Sequence, residues 1–436
     1  MRTLIITMSL TFALAVGALL VTGRKDAGQA AGAPAALPQL PPPNASTAQR
    51  LAALRAVVRA APGRAEGWTL LAGAELQRVR ETGDASSYAR AQRAVDRALS
   101  LRPGDQGALT QRAALELSRH DFAAGLRDAR AARRADPTVL APYGPLVDGA
   151  VELGRYDDAE RLAQEMVDRK PDLATLTRVS YLRELHGDRA GALSALAAAR
   201  SAGGQLPEGT AFVAALQAGL ELQLGDLRGA RRAARFALHV LPGYGPAEAA
   251  LAKVDAARGR SGVAIARMRA LVGRLPLPEH VTLLAEQELT AGRRAAATRD
   301  LELVRAERRL QHAAGVVVDT EAALFEADHG DAVRAVALAR RAWSAAPSVR
   351  SADALGWGLT RSGHPRAGLG WAKRALARGW RDPSARLHAG IAAARAGDPA
   401  QARRWLRDAV RGGAFLGPWH AAQARAALAG VSGGRS

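Results

Sequence analysis

The sequence predicts an all-α solenoid of about ten stacked helix hairpins. Two independent markers lead to this prediction. Prolines recur at an even spacing of about 34 residues, a length typical of helical repeat units. Glycines recur at nearly the same interval. In such repeat proteins each unit packs only against its neighbours. The prolines are Pro103, Pro137 and Pro171 and then Pro242 and Pro276, and the glycines are Gly154, Gly187, Gly225, Gly259, Gly292, Gly330, Gly363 and Gly397, with His120 one period earlier.

Small residues lie at two fixed distances from each glycine. They allow two antiparallel helices to approach closely at one crossing point. The glycine can adopt the left-handed conformation that ends the first helix, and the proline ends the second. The predicted unit is therefore a helix hairpin. Seven residues before the glycines lie Val147, Ser180, Ala218, Ala252, Ala285, Ala323, Gly356 and Gly390, and five residues after them lie Ala159, Ala192, Ala230, Ala264, Ala297, Ala335, Gly368 and Ala402.

This spacing resembles the tetratricopeptide repeat, whose pattern is a Trp and a Leu-Gly pair, then Tyr, Ala, an aromatic residue, Ala and Pro. Trp68 and Leu71 match the start of the first unit, and Gly154-Arg155-Tyr156 through Ala159 to Pro171 matches half of the third. Elsewhere aliphatic or polar residues usually replace the family's Trp and Tyr. The resemblance covers residues 47–428 and implies a right-handed superhelix.

Some units depart from the regular period. The first unit carries extra residues near Arg80 to Ser87, and longer second helices are expected around residues 200 to 210 and 305 to 315. Two stretches, Leu275 to Glu279 and Glu321 to Asp331, resemble parts of exported bacterial proteins of this repeat class. That closer resemblance implies no particular function.

Composition limits the chemistry that the chain can carry. The chain has 436 residues and no cysteine, which excludes thiol catalysis, zinc–thiolate sites, disulfides and lipoprotein acylation. Aromatic residues make up 4% of a chain that is 48% hydrophobic, which favours closely packed small side chains. The formal net charge of +20 favours anionic partners.

The N-terminal segment, residues 1–25, predicts export. Leu4 to Val21 is an uncharged apolar run between Arg2 and the Arg24-Lys25 pair. Cleavage near Gly28-Gln29-Ala30 and retention as a membrane anchor both fit, since a run of about 18 residues is near the minimum for a spanning helix. Residues 26–46 are a linker rich in Ala, Gly and Pro, and residues 429–436 are expected to be a flexible tail. We therefore expect an extracytoplasmic protein, either secreted or anchored to the cytoplasmic membrane, and no nucleic-acid partner.

The resemblance also implies where a partner binds. In this family the first helix of each hairpin lines a concave groove, and residues thirteen, ten, six and three before the turn glycine face into it. The same residues can instead pack one repeat on the next. A ring of Lys, Arg and Asn that grips acidic chaperone C-termini is absent, so a peptide or helix held by aliphatic and aromatic side chains fits better. The groove candidates are Asp148, Val151, Tyr181, Glu184, Phe212, Leu222, Lys253, Glu286, Leu324, Arg350, Asp353, Trp357, Leu387 and Ile391.

The C-terminal third forms a second candidate surface. Six of the seven Trp lie between Trp343 and Trp419, and from Trp343 onward there are 15 Arg and Lys against 4 Asp. Trp371 and Trp405 are one repeat period apart and so occupy equivalent repeat positions. They serve either as wedges between hairpins or, with Arg374 and Arg404, as a ladder that binds an anionic polymer or lipid headgroup.

No catalytic motif is assembled in the sequence. Gly430-Val431-Ser432-Gly433-Gly434 matches a nucleophile motif in letters, but no strand precedes it. The one cluster with metal-ligand chemistry is Glu321, Glu326, Asp328, His329 and Asp331, for which a solvated helix end is the alternative. We therefore predict a non-enzymatic protein-binding scaffold or adaptor without a cofactor. The alternative is a binder of anionic cell-envelope polymer or membrane lipid.

Overall fold

The computed structural model describes residues 45–203, 207–313 and 315–433. The predicted export segment and residues 26–44 of the predicted linker lie outside the described residues. None of the described helices is both long and apolar enough to cross a membrane. Twenty-two helices make up the described part: α1 (Thr47–Ala60), α2 (Ala65–Thr82), α3 (Ser86–Leu101), α4 (Gln106–Ser118), α5 (Phe122–Ala135), α6 (Tyr143–Glu152), α7 (Tyr156–Arg169), α8 (Leu173–Leu185), α9 (Arg189–Ala202), α10 (Pro207–Leu224), α11 (Leu227–Val240), α12 (Gly245–Ala257), α13 (Ser261–Arg274), α14 (Pro278–Thr290), α15 (Arg294–Ala313), α16 (Asp319–His329), α17 (Ala332–Ala345), α18 (Val349–Arg361), α19 (Pro365–Ala375), α20 (Pro383–Ala396), α21 (Pro399–Arg411) and α22 (Gly413–Gly433).

The helices pair successively into ten hairpins, from α2 with α3 to α20 with α21. Helix α1 precedes the first hairpin, and α22 follows the last. Each hairpin packs on the next, so the chain is an all-α solenoid. The predicted fold class and the predicted number of repeats are confirmed.

The turn markers have their predicted roles. Seven of the eight turn glycines have φ between 69° and 90°, and His120 has φ 65°. Gly330 is the exception, because it ends α16 with φ −142°. The periodic prolines follow the second helices, as Pro103 follows α3 and Pro137 follows α5.

The small residues form the predicted crossing points within hairpins. The Ser180 hydroxyl of α8 donates a hydrogen bond of 2.9 Å to the Ala192 carbonyl oxygen of α9. A Cβ on Gly356 would lie 3.0 Å from the Gly368 carbonyl oxygen. These approaches leave no room for larger side chains, which explains why both offsets hold small residues.

Two predicted boundaries differ from the structure. The long second helix near 305 to 315 is present as α15, with 20 residues. Near residue 200, however, α9 has only 14 residues and the following first helix, α10, has 18. Helix α22 continues to Gly433, so residues 429–433 are helical rather than a flexible tail.

The solenoid winds tightly enough for its turns to touch. The Val317 backbone N–H, just before α16, donates to the Arg119 carbonyl oxygen after α4 at 3.1 Å. The Val349 N–H of α18 donates to the Tyr156 hydroxyl of α7 at 2.8 Å. By the same winding, α22 lies against α10, α12 and α14. The concave faces of the hairpins therefore enclose a central lumen.

Substitutions at two turn glycines test whether successive turns of the superhelix touch. Gly154 and Gly259 have φ 69° and 76°, so alanine at either position costs about 1–2 kcal/mol in backbone strain. An added Cβ at Gly154 overlaps the Pro347 carbonyl oxygen of the next turn, whereas at Gly259 it meets nothing within 4 Å. We expect Gly154→Ala to enlarge the radius of gyration in X-ray scattering and Gly259→Ala to leave it unchanged. Equal radii for the two variants would contradict the contact between turns.

Candidate functional site

The lumen is a large cavity on the concave side of the solenoid. It has a volume of about 1130 Å³ and is lined by residues of α8, α10, α12, α14 and α16, together with parts of α18, α20 and α22. Ser46, Glu81 and Thr82 line one end and are exposed, so the lumen opens to solvent there. Small-molecule sites usually measure about 300–1,000 Å³, so the lumen is large enough for a peptide segment.

Carboxyl groups outnumber the Arg and Lys side chains on the lumen wall, although the chain as a whole is basic. Eight carboxylates line it, against five Arg and Lys side chains. Apolar side chains such as Phe212, Leu216 and Leu283 separate the charges. The carboxylates belong to Glu81, Glu184, Glu208, Glu279, Glu286, Glu321, Asp328 and Asp382, and the cations to Arg80, Lys253, Arg274, Arg308 and Arg350.

The structure places eight of the fourteen sequence-predicted groove residues on the lumen wall. They come from α8, α10, α12, α14, α16 and α18 and combine aromatic, aliphatic and charged side chains. These eight are Tyr181, Glu184, Phe212, Leu222, Lys253, Glu286, Leu324 and Arg350.

The other six predicted residues pack inside the protein instead. Every residue of α6 is buried, and Val349 at the start of α18 contacts Tyr156 of the adjacent turn. Asp148 pairs with Arg178, and Asp353 pairs with His388. The prediction that these residues face a groove is corrected, because side chains of neighbouring hairpins cover them, as Arg178 covers Asp148 and His388 covers Trp357. The six are Asp148, Val151, Asp353, Trp357, Leu387 and Ile391.

Helix α22 reaches into the lumen, which the sequence analysis did not anticipate. Gly417, with φ 79°, kinks the chain, and Pro418 starts the longer part of the helix. Phe415 and His420 on either side of the kink line the lumen. The Lys253 ammonium donates to the Phe415 carbonyl oxygen at 2.7 Å and lies 4.7 Å from its ring centroid. The Gly-Pro pair is the sequence signal that identifies this separate helix start.

His420 joins two carboxylates at this end of the lumen. Its Nε2 lies 3.2 Å from Asp328 Oδ2, and its Nδ1 lies 3.5 Å from Glu286 Oε2. His329 Nε2 contacts the other Glu286 oxygen at 3.0 Å. The Trp419 ring packs against His329 at 4.6 Å between centroids. These contacts connect α22 to α14 and α16.

The network shifts the protonation of its members. Burial opposes the charged imidazolium, but the adjacent Glu286 and Asp328 raise the pKa of His420 to about 10. Burial likewise opposes the carboxylates, yet His420 and the hydrogen bonds from the histidines lower the pKa of Glu286 to about 2. The charge of His420 similarly lowers the pKa of Asp328 to about 2. The site therefore holds a charged imidazolium at neutral pH.

These shifts predict a pH dependence of stability. The contribution of His420 is complete below its ordinary pKa of 6.5 and is lost as the pH rises toward about 10. The contribution of the carboxylates is complete above the ordinary Glu value of 4.5 and is lost as the pH falls toward about 2. We expect His420→Gln to lower the free energy of unfolding by about 2 kcal/mol near pH ~6, and by less near pH ~10.

Urea unfolding at both pH values measures this difference, with His239→Gln on the exposed face of α11 as the matched control. The control is expected to change stability little at either pH. A loss in His420→Gln that is the same at both pH values would contradict a charged network.

The five residues considered as metal ligands each make contacts with other partners in the structure. Glu321 accepts from Arg350 at 3.2 Å, and Asp328 and His329 belong to the His420 network. Asp331 caps α17 by accepting from its first backbone N–H groups, and Glu326 accepts from the Asp331 N–H at 3.1 Å. Residues 45–203, 207–313 and 315–433 contain no group of three such side chains placed to hold a metal ion.

Trp371 and Trp405, the pair interpreted either as wedges between hairpins or as a ladder on the basic surface, have different environments. Trp371 packs edge-on against Trp343 at 4.8 Å, and the exposed Arg374 guanidinium lies 5.3 Å from the Trp371 ring centroid. Trp405 is only 5% exposed and packs in the core beside Leu406, whereas Arg404 is exposed. Trp405 is therefore a wedge between helices, since α22 and α20 cover it.

Glu279 is a lumen residue that the sequence analysis did not include. It lines the lumen at the start of α14, and its side chain is accessible from the lumen. It lies thirteen residues before Gly292, so the positional rule that selected Phe212 also identifies it. Among the described residues it has no ion-pair partner.

No family model matches the chain, and no curated protein matches it. Among solved structures, the crystal structure of the APC/C hetero-tetramer Cut9-Hcn1 is 15% identical, with 88% of this chain and 67% of that chain covered and a TM-score of 0.37. The crystal structure of the yeast Tom70 is 10% identical, with 88% and 92% covered and a TM-score of 0.34. Because both TM-scores are low, the fold assignment rests on the hairpin geometry of the chain itself.

Proposed function

We propose that the chain is a non-enzymatic scaffold that holds a segment of a partner protein in the lumen. The observation that carries this proposal is the lumen itself, a solvent-connected cavity of about 1130 Å³ bounded by the first helices of successive hairpins. Apolar side chains on such a wall supply affinity, and a few polar groups supply specificity. The placement of Phe212 and Tyr181 on this wall supports its use in binding.

Helix α22 supports the same proposal from within the chain. Two of its side chains line the lumen. Phe415 packs its ring against apolar side chains, and His420 forms an ion pair with Asp328. A wall that accepts such side chains from the chain's own helix has the chemistry to accept them from another protein. The export segment at residues 1–25 motivates the further proposal that this binding takes place outside the cytoplasmic membrane.

The alternative site on the basic C-terminal repeats has less support. Trp405 is buried, and Arg374 lies over the rings of both Trp343 and Trp371. Among the described residues, no enclosed surface comparable to the lumen gathers these side chains. Binding of an anionic polymer or lipid through this face therefore stays a secondary candidate, for which steep salt dependence is the distinguishing property.

Site-specific photocrosslinking in the producing cell tests the proposed function. Benzoylphenylalanine replaces Phe212 on the lumen wall in one variant and Val333, which is 74% exposed on α17, in the other. We expect light-dependent adducts with one partner protein from the lumen position only. The proposal fails if the lumen position yields no adduct, or if both positions yield the same set of adducts.

A further inference from the structure

The lumen wall differs from the chain as a whole in its balance of acidic and basic side chains. The chain carries a formal net charge of +20, yet carboxylates outnumber Arg and Lys on the lumen wall. In a concave site with protein on most sides, charges interact more strongly than on an open surface. A segment that enters the lumen therefore meets a wall on which eight carboxyl groups stand against five Arg and Lys side chains and the charged His420.

Five of the eight lumen carboxylates form no ion pair among the described residues, and Glu184 and Glu279 are two of these five. Glu184 accepts a hydrogen bond of 2.9 Å from the Gln223 amide, and among the described residues neither Glu184 nor Glu279 forms an ion pair. Both side chains are nevertheless accessible from the lumen. They contrast with Glu321, which pairs with Arg350 at 3.2 Å.

The pKa values of both carboxyl groups are raised. Enclosure by protein raises the pKa of Glu184 to about 7, with Asp382 adding to the rise and Arg189 and Arg350 opposing it. Enclosure also raises the pKa of Glu279 to about 8, with Glu321 adding to the rise and Arg308 opposing it. A cation placed beside either group restores its charge and so releases a proton near neutral pH.

One side chain of the chain itself shows how carboxylates of the lumen wall can be paired with a cation. The His420 imidazolium of α22 lies between Glu286 and Asp328, and the Trp419 ring packs edge-on against it with ring centroids 4.6 Å apart. A cationic side chain next to apolar ones is thus the arrangement that fills one end of the lumen. Elsewhere the lumen wall offers the same combination, since Glu184 and Glu279 line it together with Phe212 and Leu216.

We propose that the partner segment held in the lumen is basic and apolar, with Lys or Arg side chains that pair with Glu184 and Glu279 and apolar side chains that pack on Phe212 and Leu216. This inference rests on the proposed scaffold function and specifies the chemistry of its partner. Each pairing forms a charge-assisted hydrogen bond in an enclosed site.

Matched synthetic peptides test the inference on the folded, full-length protein. The probes are two fluorescent peptides with the same Leu framework, one carrying Lys and the other Glu at the remaining positions. We expect the Lys peptide to bind and the Glu peptide not to bind. The paired variant Glu184→Gln/Glu279→Gln should weaken the affinity for the Lys peptide at least about tenfold. The control variant Asp168→Asn/Glu302→Gln removes two exposed carboxylates from α7 and α15 and should leave that affinity unchanged.

Calorimetry in two buffers of different ionisation enthalpy adds an independent readout. Binding of the Lys peptide near neutral pH should release protons from the wild-type protein and not from Glu184→Gln/Glu279→Gln. The inference is wrong if the Lys peptide does not bind, if the Glu peptide binds more tightly, or if the lumen variant and the control variant bind the Lys peptide equally. Adducts at Phe212 in the photocrosslinking experiment would still support the scaffold function in each of those cases.

Discussion

Replacing Trp357 with alanine is expected to lower the free energy of unfolding by about 3–5 kcal/mol. The side chain is 1% exposed and stacks on His388 with ring centroids 4.5 Å apart. Its Nε1 donates to Asp328 Oδ1 at 2.9 Å, next to the His420 contact. Alanine leaves a cavity between α16, α18 and α20 and removes one hydrogen bond from a buried carboxylate.

Urea unfolding followed by circular dichroism measures this loss. Trp357→Phe retains an aromatic ring against His388 and loses the hydrogen bond, so it should cost about 1–2 kcal/mol. Trp343→Ala is the matched control, because Trp343 is only half-buried on α17 and should cost less than Trp357→Ala. Equal losses for the two alanine variants would place Trp357 nearer the surface than the structure does.

Replacing Arg178 with methionine is expected to cost about 3–5 kcal/mol, because it leaves a buried carboxylate without its cation. Arg178 Nε and Nη2 donate to the two oxygens of Asp148 at 2.8 and 2.6 Å, and Nη1 donates to the Ala174 carbonyl oxygen at 3.0 Å. Burial raises the pKa of Asp148 to about 6 even with Arg178 beside it. Without Arg178, nothing of comparable strength opposes that cost.

A second substitution separates the pair from general disruption. Asp148→Leu combined with Arg178→Met should regain most of the lost stability, since apolar replacement of a buried ion pair is often neutral or favourable. Arg161→Met is the surface control, because Arg161 is 58% exposed in its pairs with Asp158 and Glu165 and should cost under about 1 kcal/mol. If the double variant is as unstable as Arg178→Met alone, the ion pair is not the cause of the loss.

The sequence was sufficient to predict the hairpins because their determinants are local. A left-handed Gly154 or Gly187 ends a helix within one turn, and small residues such as Ala192 mark the crossing within one hairpin. These signals repeat at every unit, so the number of repeats and their boundaries follow from the period. The extra length of α10 was not predicted, because no periodic Gly or Pro marks its additional residues.

The winding of the solenoid could not be predicted from these local signals. It depends on small rotations between hairpins that accumulate until residues about two hundred positions apart meet, as Tyr156 and Val349 do. The packing between neighbouring hairpins also decides that Asp148 and Trp357 are interior while Tyr181 and Phe212 line the lumen. The position of His420 between two carboxylates likewise depends on where the last helix arrives.

The closure of the superhelix is the central claim, because the lumen exists only if successive turns touch. Arg378, after α19, lies 2.6 Å from Asp157 of α7 in the adjacent turn. The chain has no native cysteine, so Asp157→Cys/Arg378→Cys introduces the only two thiols. A short bis-maleimide should link them within one native molecule, seen as faster migration in a denaturing gel, and should fail in urea and in each single variant. Absence of this intramolecular link in the native protein would contradict the closed superhelix and the lumen with it.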